Sequence, residues 1–288
     1  FVAGASVFAI QGLVSLVVDE RLNIGTLHRA RPLPIAGVYP IGANHNVLAE
    51  WLVVAAPFAL ALAEWTHDRR VRRVSMIAAG LCAAVALLTF ARSAWIVLAL
   101  QALVVLCSVQ RAYLARVGRM IVRGGWMILL PLVGYMGWFS LRQEVASSTD
   151  ARAMLTGIAW RWFSLHPFLG AGAGTFVERV GGTKSYQLLF GGPMDAHGVI
   201  QKLLAETGLL GLFAYALVSF VIARLVWMHV QRVGIDHRIG RGLAYAAVGV
   251  LGAWSYQLFN TTYWSAKLWL PIGIFFAIVH LYRKKSYV

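Results

Sequence analysis

Thr207-Gly208-Leu209-Leu210-Gly211-Leu212-Phe213-Ala214-Tyr215-Ala216-Leu217-Val218-Ser219-Phe220-Val221-Ile222-Ala223-Arg224-Leu225-Val226-Trp227-Met228 is a run of 22 residues with a single charged side chain, Arg224. A helix needs roughly 20 predominantly apolar residues to cross about 30 Å of hydrocarbon. The run therefore reads as a membrane span. Similar apolar runs lie at 2–18, 46–65, 74–91, 93–110, 124–141, 242–259 and 267–282. Together they predict an all-α, polytopic membrane bundle of about eight spans.

Composition agrees. The 288 residues are 59% hydrophobic and only 13% charged, and the mean hydropathy is +0.69. A soluble domain carries about 25% charged residues, and a disordered chain needs low hydrophobicity with high charge density. Both classes are excluded. The charge is lopsided, with 26 Lys and Arg against 11 Asp and Glu, a formal +15. Nucleic-acid binding is one reading of such a surplus. Placement favours another. Threading eight spans puts Arg69, Arg70, Arg72 and Arg73 on one side, together with Arg111, Arg116, Arg119, Arg123, Arg232, Arg238, Arg241 and Arg283-Lys284-Lys285. The positive-inside rule makes that side the cytoplasm, so no nucleic-acid partner is needed.

The opposite side carries 19–45, with Arg21, Arg29 and Arg31, then 142–206 and 260–266. Its longest segment mixes both charge signs and reads as a folded cap, and loops of that length are usually functional. The expected organisation is helices one to five over 1–141, the cap over 142–206 and helices six to eight over 207–288, all in one integrated domain. The chain opens at Phe1 within an apolar stretch, with no initiator Met and no signal-peptide pattern. A chain trimmed upstream is the expectation. Cys82 and Cys107 both lie within spans and form no disulfide or metal pattern.

Candidate chemistry gathers on the outer side, where polar groups beside a membrane are costly. Arg92, in Thr89-Phe90-Ala91-Arg92-Ser93-Ala94-Trp95, sits at the turn between the third and fourth spans, against the positive-inside trend. It is either a snorkelling interfacial side chain or a guanidinium fork offered to an anion such as a lipid-linked phosphate. The cap opens with Asp150-Ala151-Arg152, runs through Trp160-Arg161-Trp162-Phe163 as an amphipathic interfacial helix, and reaches His166-Pro167-Phe168-Leu169-Gly170. Gly170-Ala171-Gly172-Ala173-Gly174 lacks the spacing and the preceding strand of a dinucleotide fingerprint. It is expected to be a tight turn, offering backbone N–H groups to an anion.

His197 then precedes Val199, Leu203 and Leu204, whose spacing predicts a helix leading into the membrane. It is either an ordinary capping-region histidine or a neutral imidazole able to take a proton from an attacking hydroxyl. Nine positions separate His197 from Glu206, which argues against a dyad on one helix face. Lys202 and Glu206, at i and i+4, suit a structural pair. His166, His197 and Asp195 lack compact zinc-ligand spacing, so no metal is expected. His45, Glu50, Gln257, Asn260, Tyr263 and Lys267 mark other outer helix ends and are read as interfacial.

Gly42-Ala43-Asn44-His45-Asn46-Val47-Leu48-Ala49, Arg92-Ser93-Ala94-Trp95 and Arg152 upstream of His166-Pro167 with Gly170-Ala171-Gly172 form an ordered set. With His197 and Glu206-Thr207-Gly208-Leu209-Leu210-Gly211, that set resembles the O-antigen ligase superfamily. This superfamily also holds O-antigen polymerases and protein O-oligosaccharyltransferases. The resemblance implies a helical bundle of the lipid-dependent, GT-C type with a periplasmic cap, in the bacterial inner membrane. It implies an inverting glycosyltransferase that uses neither cofactor nor metal. The donor would be a glycan on undecaprenyl diphosphate and the acceptor a hydroxyl of lipid A-core or another molecule. Carried over by motif, Arg92 and Arg152 hold the diphosphate, with Arg161 a further substrate contact, and His197 is the catalytic histidine. Gly198 departs from a common His-Asn form, which puts acceptor contacts in question. A transporter would instead predict mid-span charges or inverted repeats, and a scaffold would leave Arg92, Arg152 and His197 dispensable.

Overall fold

The computed structural model describes residues 1–18, 29–109, 134, 143–235 and 237–286. They form helices α1 (Val2–Val18), α2 (His45–Trp65), α3 (Arg69–Leu88), α4 (Arg92–Ser108), α5 (Gln143–Leu165), α6 (Phe176–Gly181), α7 (Lys184–Phe190), α8 (Val199–Val233), α9 (Arg238–Tyr256) and α10 (Ala266–Ser286). Among the described residues there is no strand, only an isolated bridge between Ile35 and Val38. The protein is an all-α membrane-type fold. Helices α2, α3 and α8 are long and apolar enough to cross a membrane, while α1, α4 and the Ala266–Tyr282 part of α10 are shorter apolar helices. These six match six of the expected spans, and the expected 242–259 falls on α9. The expected span 124–141 lies outside the described residues apart from position 134. So do Arg21, Arg111, Arg116, Arg119 and Arg123.

The chain divides into two compact units. The first comprises Phe1–Val109, Arg224–Tyr256 and Tyr263–Val288. Its central element is α2, which Asn44 caps by accepting the Asn46 N–H at 2.9 Å, satisfying a helix-end donor. Within its apolar window 72% of α2 is buried, against 6% for α8. So α2 is a core helix, whereas α8 turns its apolar surface outward as a lipid-facing helix does. Helix α9 lies close against α2, and a Cβ on Gly249 would stand 2.6 Å from the Phe58 ring. Small residues permit such approach between membrane helices.

Pro57 sits inside α2 and has no N–H to give the carbonyl of Val53 four residues earlier. The buried Gln101 amide of α4 takes that place, donating at 3.2 Å to the Val53 carbonyl and at 3.2 Å to the Val248 carbonyl of α9. One side chain thus ties three helices together where the proline leaves an acceptor open. At one end of this unit the buried Glu50 pairs with Lys267 at 3.3 Å, and Arg29 lies 3.2 Å from His45. His45, Glu50 and Lys267, read from sequence as interfacial residues, and Arg29 of the 19–45 stretch thus meet in two pairs.

The second unit comprises Gln110–Ala223 and Gln257–Thr262. Its core is Leu155, Ile158 and Ala159 of α5, Phe176 and Val180 of α6, Tyr186 of α7, Ala196, and Ala205 of α8, with Met154, Trp162 and Phe190 packed against it. The short helices α6 and α7 are held by this shared apolar cluster, since isolated helices of that length are unstable in water.

Helix α8 is broken at Gly208, whose φ of 64° and ψ of −159° interrupt the helix. The 166–172 segment fills the break. The carbonyls of Ala205 and Glu206 accept the N–H groups of Ala171 and Gly172, each at 2.9 Å. Beyond the break, the N–H groups of Leu209 and Leu210 donate to the carbonyls of Pro167 and Phe168 at 2.9 and 3.2 Å. Backbone groups that a helix break would orphan are thereby paired, as burial in or beside a membrane requires.

Candidate active site

The second unit holds His197, Arg152 and Asp195. Arg152 lies on α5, and His197 stands two residues before α8. Three bonds within this unit hold the approach to α8. The Val199 N–H donates to the Gln257 carbonyl at 2.9 Å, Thr261 Oγ1 donates to the Ala196 carbonyl at 2.9 Å, and the Ala196 N–H donates to Asp195 Oδ1 at 2.8 Å. They fix the chain on both sides of the histidine. Gly198 is explained by the same packing: a Cβ there would lie 2.8 Å from the Leu258 carbonyl and would run into the Gln201 side chain.

Burial pushes the pKa of the half-buried His197 below the usual histidine value, and the Arg152 charge pushes the same way. Asp195 works against both. The neutral imidazole is favoured, in the protonation state a general base requires. Asp195 is itself held by Lys202, whose Nζ donates to Oδ2 at 2.6 Å. Lys202 Nζ also lies 3.9 Å from Glu206 Oε1, so the expected i,i+4 pair is present but is the longer of its two ion pairs. The buried Glu206 accepts the Phe176 N–H at 3.0 Å, placing a carboxylate at the first turn of α6. Lys202 thus links Asp195 and Glu206 in one series of ion pairs, while Arg152 and Asp195 act on His197 through their charge.

Arg161 does not join this series. It lies nine residues beyond Arg152 on α5, so the two occupy opposite faces at about 100° per residue, and Arg161 is exposed. The glycine turn departs from its expected use. Gly170, Gly172 and Gly174 take φ values of 68°, 116° and 77°, which only a glycine adopts readily. However, the N–H groups of Gly170, Ala171 and Gly172 already donate to the carbonyls of His166, Ala205 and Glu206. They brace the α8 break and are not offered to an anion.

Arg179 closes the same turn. Its guanidinium lies 4.0 Å over the Trp162 ring and donates to the Ala171 carbonyl at 2.5 Å and to Thr175 Oγ1 at 3.0 Å. Trp162 stacks in turn on His166, with centroids 6.3 Å apart. Trp162 and His166 stand at i and i+4, but Arg179 comes from 17 positions further along the chain, and sequence reading missed this stack, as it missed the Asp195–Lys202 pair seven positions apart.

Arg92 belongs to the first unit, as the half-buried first residue of α4. The turn before it is tightly held. Thr89 Oγ1 donates to the Ala86 carbonyl at 2.6 Å and accepts the Ala91 N–H at 3.2 Å. Phe90 takes a φ of 54° and sets its ring edge-on to Trp95, while Trp95 Nε1 donates to the Leu87 carbonyl at 3.1 Å. Among the described residues no cluster of three His, Cys, Asp or Glu side chains could hold a metal.

Residues 77–216 match the family model described as O-antigen ligase. The matched stretch contains Arg92, Arg152, Arg161, His197, the Asp195–Lys202 pair and the Gly208 break. No curated protein matches the chain.

Proposed function

We propose that the protein transfers a glycan from undecaprenyl diphosphate to an acceptor hydroxyl at the periplasmic face of the bacterial inner membrane, as a ligase acting on lipid A-core. The observation that carries this reading is the match of residues 77–216, Arg152 and His197 among them, to the O-antigen ligase family model; burial, with the Arg152 charge, lowers the His197 pKa in keeping with a base. His197 takes the proton of the acceptor hydroxyl as its oxygen forms a bond to the anomeric carbon. The bond from that carbon to the diphosphate oxygen breaks, and the electron pair leaves with the diphosphate. Arg152 holds the diphosphate and stabilises the charge that grows on it, an interaction stronger in the transition state than in the ground state. Attack from the face opposite the leaving group inverts the anomeric centre. Arg161, on the outer face of α5, contacts the donor only at the periphery.

The Arg152 charge, after burial, disfavours the imidazolium. A bound diphosphate offsets the guanidinium charge that disfavours the imidazolium, so His197 becomes more basic once the leaving group is in place. The test is glycan transfer in membranes carrying the lipid-linked donor. His197→Ala is expected to lose about 10²–10⁴ in rate. Near-normal transfer by a correctly inserted variant would overturn the assignment.

A further inference from the structure

A cavity in the first unit is lined by none of the residues assigned to glycan transfer. This cavity, of about 240 Å³, is lined by Trp65 at the end of α2, His229, Arg232 and Val233 near the end of α8, Ile239 and Leu243 of α9, and Ile278, Val279 and Tyr282 of α10. One wall is aliphatic, from Val233, Ile239, Leu243, Ile278 and Val279. The other carries a guanidinium, an imidazole and the polar tips of an indole and a phenol.

The neighbouring cations are committed to the protein. Arg241 pairs with Glu64 at 3.0 Å, and Arg238 donates to the Thr66 carbonyl at 2.5 Å beside His67. Trp65 Nε1 donates to the Ile239 carbonyl at 3.3 Å, and His229 Nδ1 donates to the Leu225 carbonyl at 2.6 Å. Arg232 is exposed and makes no ion pair or hydrogen bond among the described residues. An uncommitted guanidinium therefore stands at the mouth of an apolar cleft, on the end of the unit that also bears Arg69, Arg70, Arg72 and Arg73.

We propose that this cleft binds one anionic phospholipid, with its headgroup phosphate on Arg232 and an acyl chain against the α9–α10 wall. The volume suits a glycerophosphate headgroup and the first methylenes of a chain. It is too small to enclose a drug-sized ligand, which takes about 300–1,000 Å³. Ile239, 42% exposed, leaves the aliphatic wall open for the rest of the chain. Charge decides the occupant: basic pockets between membrane helices on the positive side take anionic headgroups, and a zwitterionic lipid gives Arg232 no net partner. The proposal stands independently of the transfer mechanism.

The full chain, purified in detergent, is incubated with phosphatidylglycerol, with phosphatidylcholine of the same acyl chains, or with free glycerol phosphate, and the retained molecule is counted by native mass spectrometry. Phosphatidylglycerol is expected to be retained roughly five-fold over phosphatidylcholine, the ratio that about one basic contact supplies. Arg232→Gln should erase that preference, and Ile278→Trp should lower retention of both lipids. Arg224→Gln, an exposed change on the same helix outside the cavity, should leave retention as in wild type. Equal phosphatidylglycerol retention by wild type and Arg232→Gln overturns the proposal. So does glycerol phosphate binding as strongly as the lipid, which would make the site one for a soluble anion.

Discussion

Lys202 reaches Asp195 at 2.6 Å across the start of α8, and the histidine they bracket, His197, responds to that carboxylate. Asp195 raises the histidine pKa while burial and Arg152 lower it. The lysine shares the carboxylate charge and so limits how far Asp195 can favour the imidazolium.

Asp195→Asn removes the one influence that raises the histidine pKa. The His197 titration should move further below the usual histidine value, and the acidic limb of the transfer-rate profile should move with it. Imidazole chemical shifts followed against pH check the direction. An upward move would contradict the arrangement.

Arg152→Gln removes a lowering influence, so the titration of His197 should move up. In the wild type, adding a diphosphate-bearing lipid should produce the same upward move by offsetting the guanidinium. In Arg152→Gln that response to ligand should vanish. The transfer rate of this variant should fall about 10²–10³-fold, the loss typical of one electrostatic donor. Titration of both proteins with and without the lipid separates the field effect from general damage.

Gly208→Ala meets two obstacles. The residue holds a φ of 64°, and a Cβ there would stand 2.5 Å from the Phe168 carbonyl and 2.7 Å from the Gly170 nitrogen. A left-handed non-glycine residue costs on the order of 1–3 kcal/mol before the clash is counted. The variant should melt several degrees lower in detergent, and amides 166–172 should lose protection from hydrogen exchange. Gly198→Ala, facing the Leu258 carbonyl at 2.8 Å, should be milder if the Gln201 side chain swings away.

Tyr186 points the other way. It is fully buried, and its hydroxyl has no hydrogen-bond partner among the described residues. Burial also pushes its pKa up. Leaving a buried hydroxyl unsatisfied costs about 1–3 kcal/mol, so Tyr186→Phe should hold or raise the melting temperature. A large fall would mean that the hydroxyl has a partner in the folded protein.

The helices were legible because each depends on a local signal. Runs of apolar residues long enough for a bilayer mark α2, α3 and α8, and three closely spaced glycines mark the turn at 170–174. Arg92 stands out as a charge at the turn between two expected spans, against the positive-inside trend, whereas Arg152 and His197 rest on the ordered motifs of the family resemblance. What stayed hidden was pairing at a distance. Nothing local announces that Gln101 will answer the acceptor left by Pro57, or that the segment after His166 will complete a helix broken at Gly208. Thr207-Gly208 lies inside an apolar run with strong helical character, and only hydrogen bonds to residues some 40 positions earlier let the helix stop and restart there. The glycine turn was found for its shape and misread for its use, because its N–H groups had partners that no spacing rule reveals.

The interruption of α8 separates two kinds of register. Upstream of Gly208, the segment is tied to the 166–172 strap by backbone bonds to 171 and 172, while downstream only Leu209 and Leu210 are tied to it, through Pro167 and Phe168. Inserting one residue after Gly211 would turn every later side chain by about 100° yet leave His197 aimed as before. One residue added to the 166–172 strap would instead reach both sides of the break, because Pro167 and Phe168 hold Leu209 and Leu210 while Ala171 and Gly172 hold Ala205 and Glu206. The helix beyond Gly211 can therefore change register without re-aiming the reactive end, whereas the strap cannot.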